Sequence, residues 1–420
     1  MTGVDGGGTA GAGSGAVLLR DVTGPDGRRT DVALSGGLIE RLAEPGAGAV
    51  AGEVFDLDGF VLLPAPAEPH THYDTALLRG RAPNPSGTLE AAIEAWESVA
   101  SSATSADFLA RGEAVARMAV ANGATAVRTH VGIYPGRGLT AVEALLELRE
   151  RVRPWLDLQV AALTVEYTTA RAEQVRDWLR AAVKLGVDVV GGCPHLDPEP
   201  EACIDAFLTL ATEWSLPVDL HMDEILNLDD EERYDNLRYL AQRVQELGLQ
   251  GRVTASHCVS LGMQDPARAS ETAARLADAG VAVVCNPQTN LYLQAREFRT
   301  AAPRGLTAVR PLLSAGVVLA GGGDNVQDPF NPMGRADPLE TASLLVTAGH
   351  LTSAEAYRAV SAAARAALCL PEVRLAPGYP AELVAVRATS LDQALADPAD
   401  RLVIHQGRVV SRTTVTRHGP

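Results

Sequence analysis

The chain predicts a (β/α)8 barrel, the TIM barrel architecture, with a small β-sandwich-like domain built from its two flanks. Between about residues 64 and 370, short apolar or β-branched runs alternate with longer Ala/Leu/Glu/Arg stretches of helical spacing. Eight such runs occur in one chain, which favours a closed barrel over an open sheet. No GxGxxG follows the first run, which removes the dinucleotide-binding alternative.

Residues 1–15 are Gly-rich, without a basic or apolar leader segment, and read as a disordered tail. Residues 16–63 and 371–415 share short strands broken by Gly, Asp and Pro turns, so the two flanks are expected to pair as one domain beside a barrel of residues 64–370. The expected barrel strands are Ala65–His72, Thr125–His130, Leu158–Thr164, Val187–Gly191, Val218–Met222, Arg252–His257, Val281–Asn286 and Val317–Gly321. Helices are expected between them, among others over Glu173–Leu185, Glu201–Trp214, Arg233–Leu247 and Ser270–Ala279. Gly186, Gly248 and Gly280 stand where a C-terminal capping glycine belongs.

The 420 residues, 46% of them hydrophobic, can bury a large core. A formal charge of −16 without basic blocks argues against nucleic acid or anionic lipid as partners. Five cysteines with no CxxC pair suggest neither a disulfide framework nor a zinc knuckle, and a reducing cytoplasm is the expected location. No apolar stretch is long enough to span a bilayer. A homo-oligomer is possible, but no interface signal is legible.

The chemistry gathers at the strand ends, where barrels of this type place their working residues. The first strand ends in Glu68-Pro69-His70-Thr71-His72, and strand alternation puts His70 and His72 on one side. The fifth carries His221 with Glu224 three residues on, the sixth ends at His257, and the eighth runs through Gly321-Gly322-Gly323 into Asp324-Asn325. Taken singly, each reads as a hydrogen-bonded core histidine or a helix-capping aspartate. Taken together, three imidazoles and a carboxylate suit one divalent first-row metal, Zn2+ or Fe2+, with a position left for water.

These residues, in this order, resemble the amidohydrolase superfamily, and the longer strings resemble the bacterial cytosine deaminases. EPHTHYDTALL, PNPSGTLEAAIEAW, LGVDVVGGCPH, VDLHMDEI, GRVTASH and GDNVQDPFNPMG carry the likeness from residue 68 to residue 334. The resemblance implies that His70, His72, His221 and Asp324 hold one metal ion. Glu224 would shuttle a proton to a ring nitrogen, His257 would orient the activated water, and Asp324 would accept the water proton and return it to the leaving amine. The backbone carbonyl of Leu89 would contact the substrate. Two-metal members bridge their ions with a carboxylated lysine ending the fourth strand, whereas here Val190-Gly191-Gly192 stand there and Lys184 lies on the preceding helix. The HxE and PCxxC motifs of the unrelated nucleoside deaminases are absent.

The implied activity is hydrolysis of the exocyclic C–N bond of an aminopyrimidine or related cyclic amidine, consuming water and releasing ammonia. Departures from the pattern cluster around the substrate. Val165, with Glu166 beside it, replaces a glutamine that reads the pyrimidine edge; Gly323 and Asn325 replace a histidine and a second aspartate; Phe330 replaces a tryptophan. The Asp324-Asn325 pair is similar to that of triazine-ring amidohydrolases, which remove an alkylamine, and this is the alternative reading. A non-catalytic binding or assembly protein on the same barrel is the third.

His130 either supports a ligand or packs within a barrel layer. His195, in CPHLDPEP, reads as a solvated loop histidine, with the pocket mouth as the other option. His350, His405 and His418 read as structural or exposed, and Cys258 as a small buried side chain.

Overall fold

In a computed structural model, residues 16–47, 52–134, 137–165, 167–226 and 235–419 are described. The expected tail 1–15 and Glu166 lie outside these residues. Among the described residues, eight parallel strands form one sheet in sequence order: Ala67–Thr71, Ala126–Gly132, Asp157–Thr164, Val189–Gly192, Val218–Met222, Val253–His257, Ala282–Cys285 and Leu319–Gly321. Each matches an expected strand to within one or two residues at most ends, and the helices between them complete a (β/α)8 barrel. Every residue of the first, second, fifth and sixth strands is buried, as parallel strands covered by helices must be.

The barrel closes where the eighth strand meets the first, with a single bridge between Thr71 and Asp324 in place of a ladder. Asp324 N donates to His70 O at 2.9 Å, and Thr71 Oγ1 donates to Asp324 O at 2.6 Å. The seam therefore lies within the residues expected to carry the chemistry.

The helices follow local rules. Ala172–Leu185 buries Val175, Leu179 and Ala182 on one face and stops at Gly186, whose φ of 94° an L side chain rarely adopts. The helix expected from Ser270 begins earlier, at Pro266, because Asp265 caps the amides of Ala267 and Arg268 and proline suits the first turn. The helix expected from Arg233 is described from Asn236.

The flanks join in a second eight-stranded sheet. Phe60–Pro64 from the N-terminal side pairs antiparallel with Leu383–Arg387 from the C-terminal side. Hydrogen bonds from Ile39 N to Tyr379 O and from Ala381 N to Gly37 O draw opposite parts of the sheet together. They enclose a separate core that includes Leu19, Leu34, Ile39, Leu62, Leu383 and Ile404. His405, within this unit, is buried and hydrogen-bonded to Glu382, whereas His350 and His418 are exposed. No helix among the described residues is long and apolar enough to cross a membrane.

Candidate active site

The C-terminal strand ends converge on one buried cluster. Asp324 Oδ1 lies 3.3 Å from His72 Nε2 and 3.7 Å from His70 Nε2. His221 Nε2 lies 3.2 Å from His72 Nε2. His257 closes the ring, with Nε2 4.0 Å from Asp324 Oδ2 and Nδ1 3.2 Å from Glu224 Oε1. Asp324 and His257 hold left-handed backbone angles, φ 61° and 71°, which are strained for residues with a side chain and turn both into the barrel mouth.

The atoms fit a divalent cation. His70 Nε2 and both carboxylate oxygens of Asp324 are buried without a hydrogen-bond partner, an arrangement that is costly unless another group satisfies it. His70, His72 and Asp324 each offer a ligand atom to a common point. Burial, then mutual repulsion, holds His70, His221 and His257 well below the ordinary histidine value, and burial brings His72 to about 3. The imidazoles are thus neutral, the form that binds metal. Burial and then the nearby Glu224, Asp328 and Glu68 carboxyls push Asp324 up, a shift that a bound cation would reverse.

Supporting contacts fix the candidate ligands. His70 Nδ1 lies 2.9 Å from Ser256 Oγ, which donates to Asp219 Oδ1 at 2.8 Å; Arg128 donates to Asp219 Oδ2 at 2.8 Å. His130 Nε2 lies 3.5 Å from the same oxygen, so His130 joins this polar network inside the barrel. Glu68 accepts from His70 N at 3.1 Å and from Gly323 N at 2.9 and 3.0 Å. A Cβ on Gly323 would sit 2.8 Å from Glu68 Oε2, so the Glu68 carboxyl takes the space of a side chain at 323. Asp219, Ser256 and Glu68 have no role legible in the sequence, although they stand one or two residues from His221, His257 and His70; strand alternation was the available signal.

Beside the cluster lies a cavity of about 240 Å3, small for a drug-sized ligand and suited to a small heterocycle. Leu89, Asn325 and Phe330 all line it, as do Val165, Trp96 and Glu224. Leu89 opens the helix Leu89–Ala100 behind its cap Thr88. The Asn325 amide is already engaged, donating to Asp328 Oδ2 at 2.8 Å and accepting from Thr289 Oγ1 at 3.3 Å. Glu224 is 6% exposed, and burial lifts its carboxyl to about 8 against the opposing hydrogen bond from Asn290. It can hold a proton at neutral pH.

One expectation is corrected. His195 is not solvated: it is 4% exposed, lines the cavity, and places Nδ1 3.1 Å from His221 O. The turn Pro194–Leu196 folds the ring inward, which the polar string CPHLDPEP does not reveal.

A parallel barrel with imidazoles and carboxylates gathered at its C-terminal mouth is suited to metal-assisted hydrolysis. The chain belongs to the amidohydrolase family, whose model matches residues 98–411. It is 31% identical over 407 residues to a pterin deaminase of Rhizobium rhizogenes, covering 95% of this chain and 92% of the relative. It is 26% identical over 401 residues to an N-isopropylammelide isopropyl amidohydrolase of Pseudomonas sp. (strain ADP), covering 92% and 94%. A 5-methylcytosine deaminase of Klebsiella pneumoniae liganded with 5-fluorocytosine superposes with a TM-score of 0.87 at 27% identity, covering 96% and 99% of the two chains.

Proposed function

We propose that this protein is a mononuclear metal-dependent aminohydrolase that removes ammonia from a cyclic amidine, an aminopyrimidine or a related ring. The observation that carries the reading is the buried Glu224 carboxyl, held 3.2 Å from His257 beside the His70, His72, His221 and Asp324 cluster at the end of an apolar cavity. Similarity to a pterin deaminase and a 5-methylcytosine deaminase supports loss of an exocyclic amine from a heterocycle.

His70, His72, His221 and Asp324 would hold the ion, Zn2+ or Fe2+. When bound, it would lower the pKa of water toward neutrality and supply the nucleophile. The overall reaction joins the water oxygen to the ring carbon and breaks the exocyclic C–N bond, with the electron pair leaving on nitrogen. Asp324 takes the water proton at a carboxylate oxygen and returns it to the departing amine. Glu224 delivers a proton to the adjacent ring nitrogen, which prevents charge from building there, and takes back the remaining proton of the added oxygen as the carbonyl forms. His257, fixed between Glu224, Asp324 and the amide of Asn290 (3.2 Å), orients the attacking group. Leu89, Asn325 and Phe330 shape the substrate wall. A single ion is favoured because a side chain at Gly191, next to the end of the fourth strand, would be driven into the backbone oxygen of Asp219.

The second reading, loss of an alkylamine from an N-alkylated heterocycle, is favoured by the Asp324-Asn325 pair and by the similarity to the N-isopropylammelide hydrolase. The test is amine release from cytosine, isocytosine, isoguanine, methylated cytosines, pterins, creatinine and aminotriazines by zinc- and iron-loaded protein. Ammonia from a cyclic amidine is expected, and Glu224→Gln is expected to lower kcat by about 10²–10⁴-fold with metal content unchanged. Near-normal turnover by Glu224→Gln would remove the proton-shuttle role.

A further inference from the structure

We infer that His195 is a specificity-determining residue whose Nε2 accepts a hydrogen bond from a substrate N–H. The inference rests on the aminohydrolase reading and narrows its substrate class to heterocycles that present one donor, flanked by apolar edge, to this wall.

The geometry sets the tautomer. His221 O is a carbonyl oxygen and only accepts, so His195 Nδ1, 3.1 Å away, carries the hydrogen. In the neutral ring Nε2 then has a free lone pair. That atom is buried without a hydrogen-bond partner among the described residues. A buried acceptor left unmatched is destabilising unless a ligand or water meets it.

The surroundings point to a substrate contact. Where the third and fourth barrel strands line the cavity, His195 stands among Leu163, Val165, Cys193 and Leu196. Val165 lines the same wall, and its side chain forms no hydrogen bond. The turn after the fourth strand places the His195 imidazole there. With Nδ1–H committed to His221 O, this imidazole offers an acceptor alone, so a substrate carbonyl at that edge would be left unmatched and rejected.

Two amide variants separate reading the substrate from propping the His221 backbone. His195→Asn keeps an N–H near the Nδ1 position and removes Nε2; His195→Gln keeps an acceptor near the Nε2 position. Binding of cytosine against 1-methylcytosine and of pterin against 3-methylpterin is measured by calorimetry on zinc-loaded protein, with metal content and ammonia-release kinetics alongside. The native protein is expected to prefer the N–H member of one pair by about tenfold or more. His195→Asn should abolish that preference and raise KM more than it lowers kcat, and His195→Gln should retain part of it, all with native metal content. A preference in His195→Asn within about twofold of native overturns the inference and leaves the aminohydrolase reading standing. Equal loss for both members of a pair, accompanied by lost metal, also overturns it, since the ring would then act only on His221. A native protein that shows no preference for the N–H member of either pair overturns the inference, and one that releases amine from none of the compounds of the wider panel overturns the aminohydrolase reading as well.

Discussion

Both oxygens of Glu68 receive the amide of Gly323, at 3.0 and 2.9 Å, so a side chain of the first barrel strand holds the eighth where ladder hydrogen bonds are missing. Because Glu68 also accepts from His70 N, one carboxyl sets the backbone beside two proposed ligands. Glu68→Ala is expected to cost about 1–3 kcal/mol, since buried backbone amides lose their partner. It should also weaken metal retention. The urea unfolding midpoint and metal content of purified protein check this, and unchanged values for both would show the clamp to be dispensable.

Removing the ion should act on stability as well as activity. An ion that binds only the folded protein adds about 2.7 kcal/mol when present at 100 times its Kd. Chelation is therefore expected to lower the melting temperature and stop turnover, with zinc or iron restoring both. His221→Ala should prevent the restoration, because it removes a proposed ligand from the cluster rather than a surface contact. Scanning calorimetry of chelated and reloaded protein is the measurement.

His405 predicts a pH dependence away from the active site. Burial alone would lower it, but the hydrogen bond to Glu382 at 2.9 Å and the charges of Glu382 and Asp157 outweigh burial and raise it above 6.5. A group raised on folding contributes fully below its unfolded value and loses that contribution as pH rises through its folded value. The melting temperature should therefore fall on the alkaline side of 6.5, and His405→Gln should flatten that part of the profile. A native slope retained in His405→Gln would assign the effect to other groups.

Gly191 is expected to tolerate no side chain. Its Cβ would be forced against the Asp219 backbone oxygen, and Asp219 anchors Ser256 and Arg128 beneath His70. Gly191→Ala should destabilise by about 1–3 kcal/mol through overpacking. Soluble yield and the unfolding midpoint test it.

The barrel was legible because buried parallel strands are largely apolar, and runs such as Ala282–Cys285 carry that mark locally. The proposed ligands were legible because imidazoles and carboxylates at strand ends are hard to explain otherwise. His195 was misread for a matching reason: its neighbours are turn-forming and polar, and its burial depends on a contact with His221 on the next strand.

The order of strands and helices, the pairing of the flanks and the set of candidate residues follow from the chain alone, since periodicity and side-chain chemistry are written residue by residue. The tertiary structure decided the rest. The separation of His72 from Asp324, the space that Glu68 takes from position 323, the free nitrogen of His195 and the raised Glu224 acid arise from groups distant in sequence meeting where water is excluded. Those interactions depend on distance and burial, which only closure of the barrel sets.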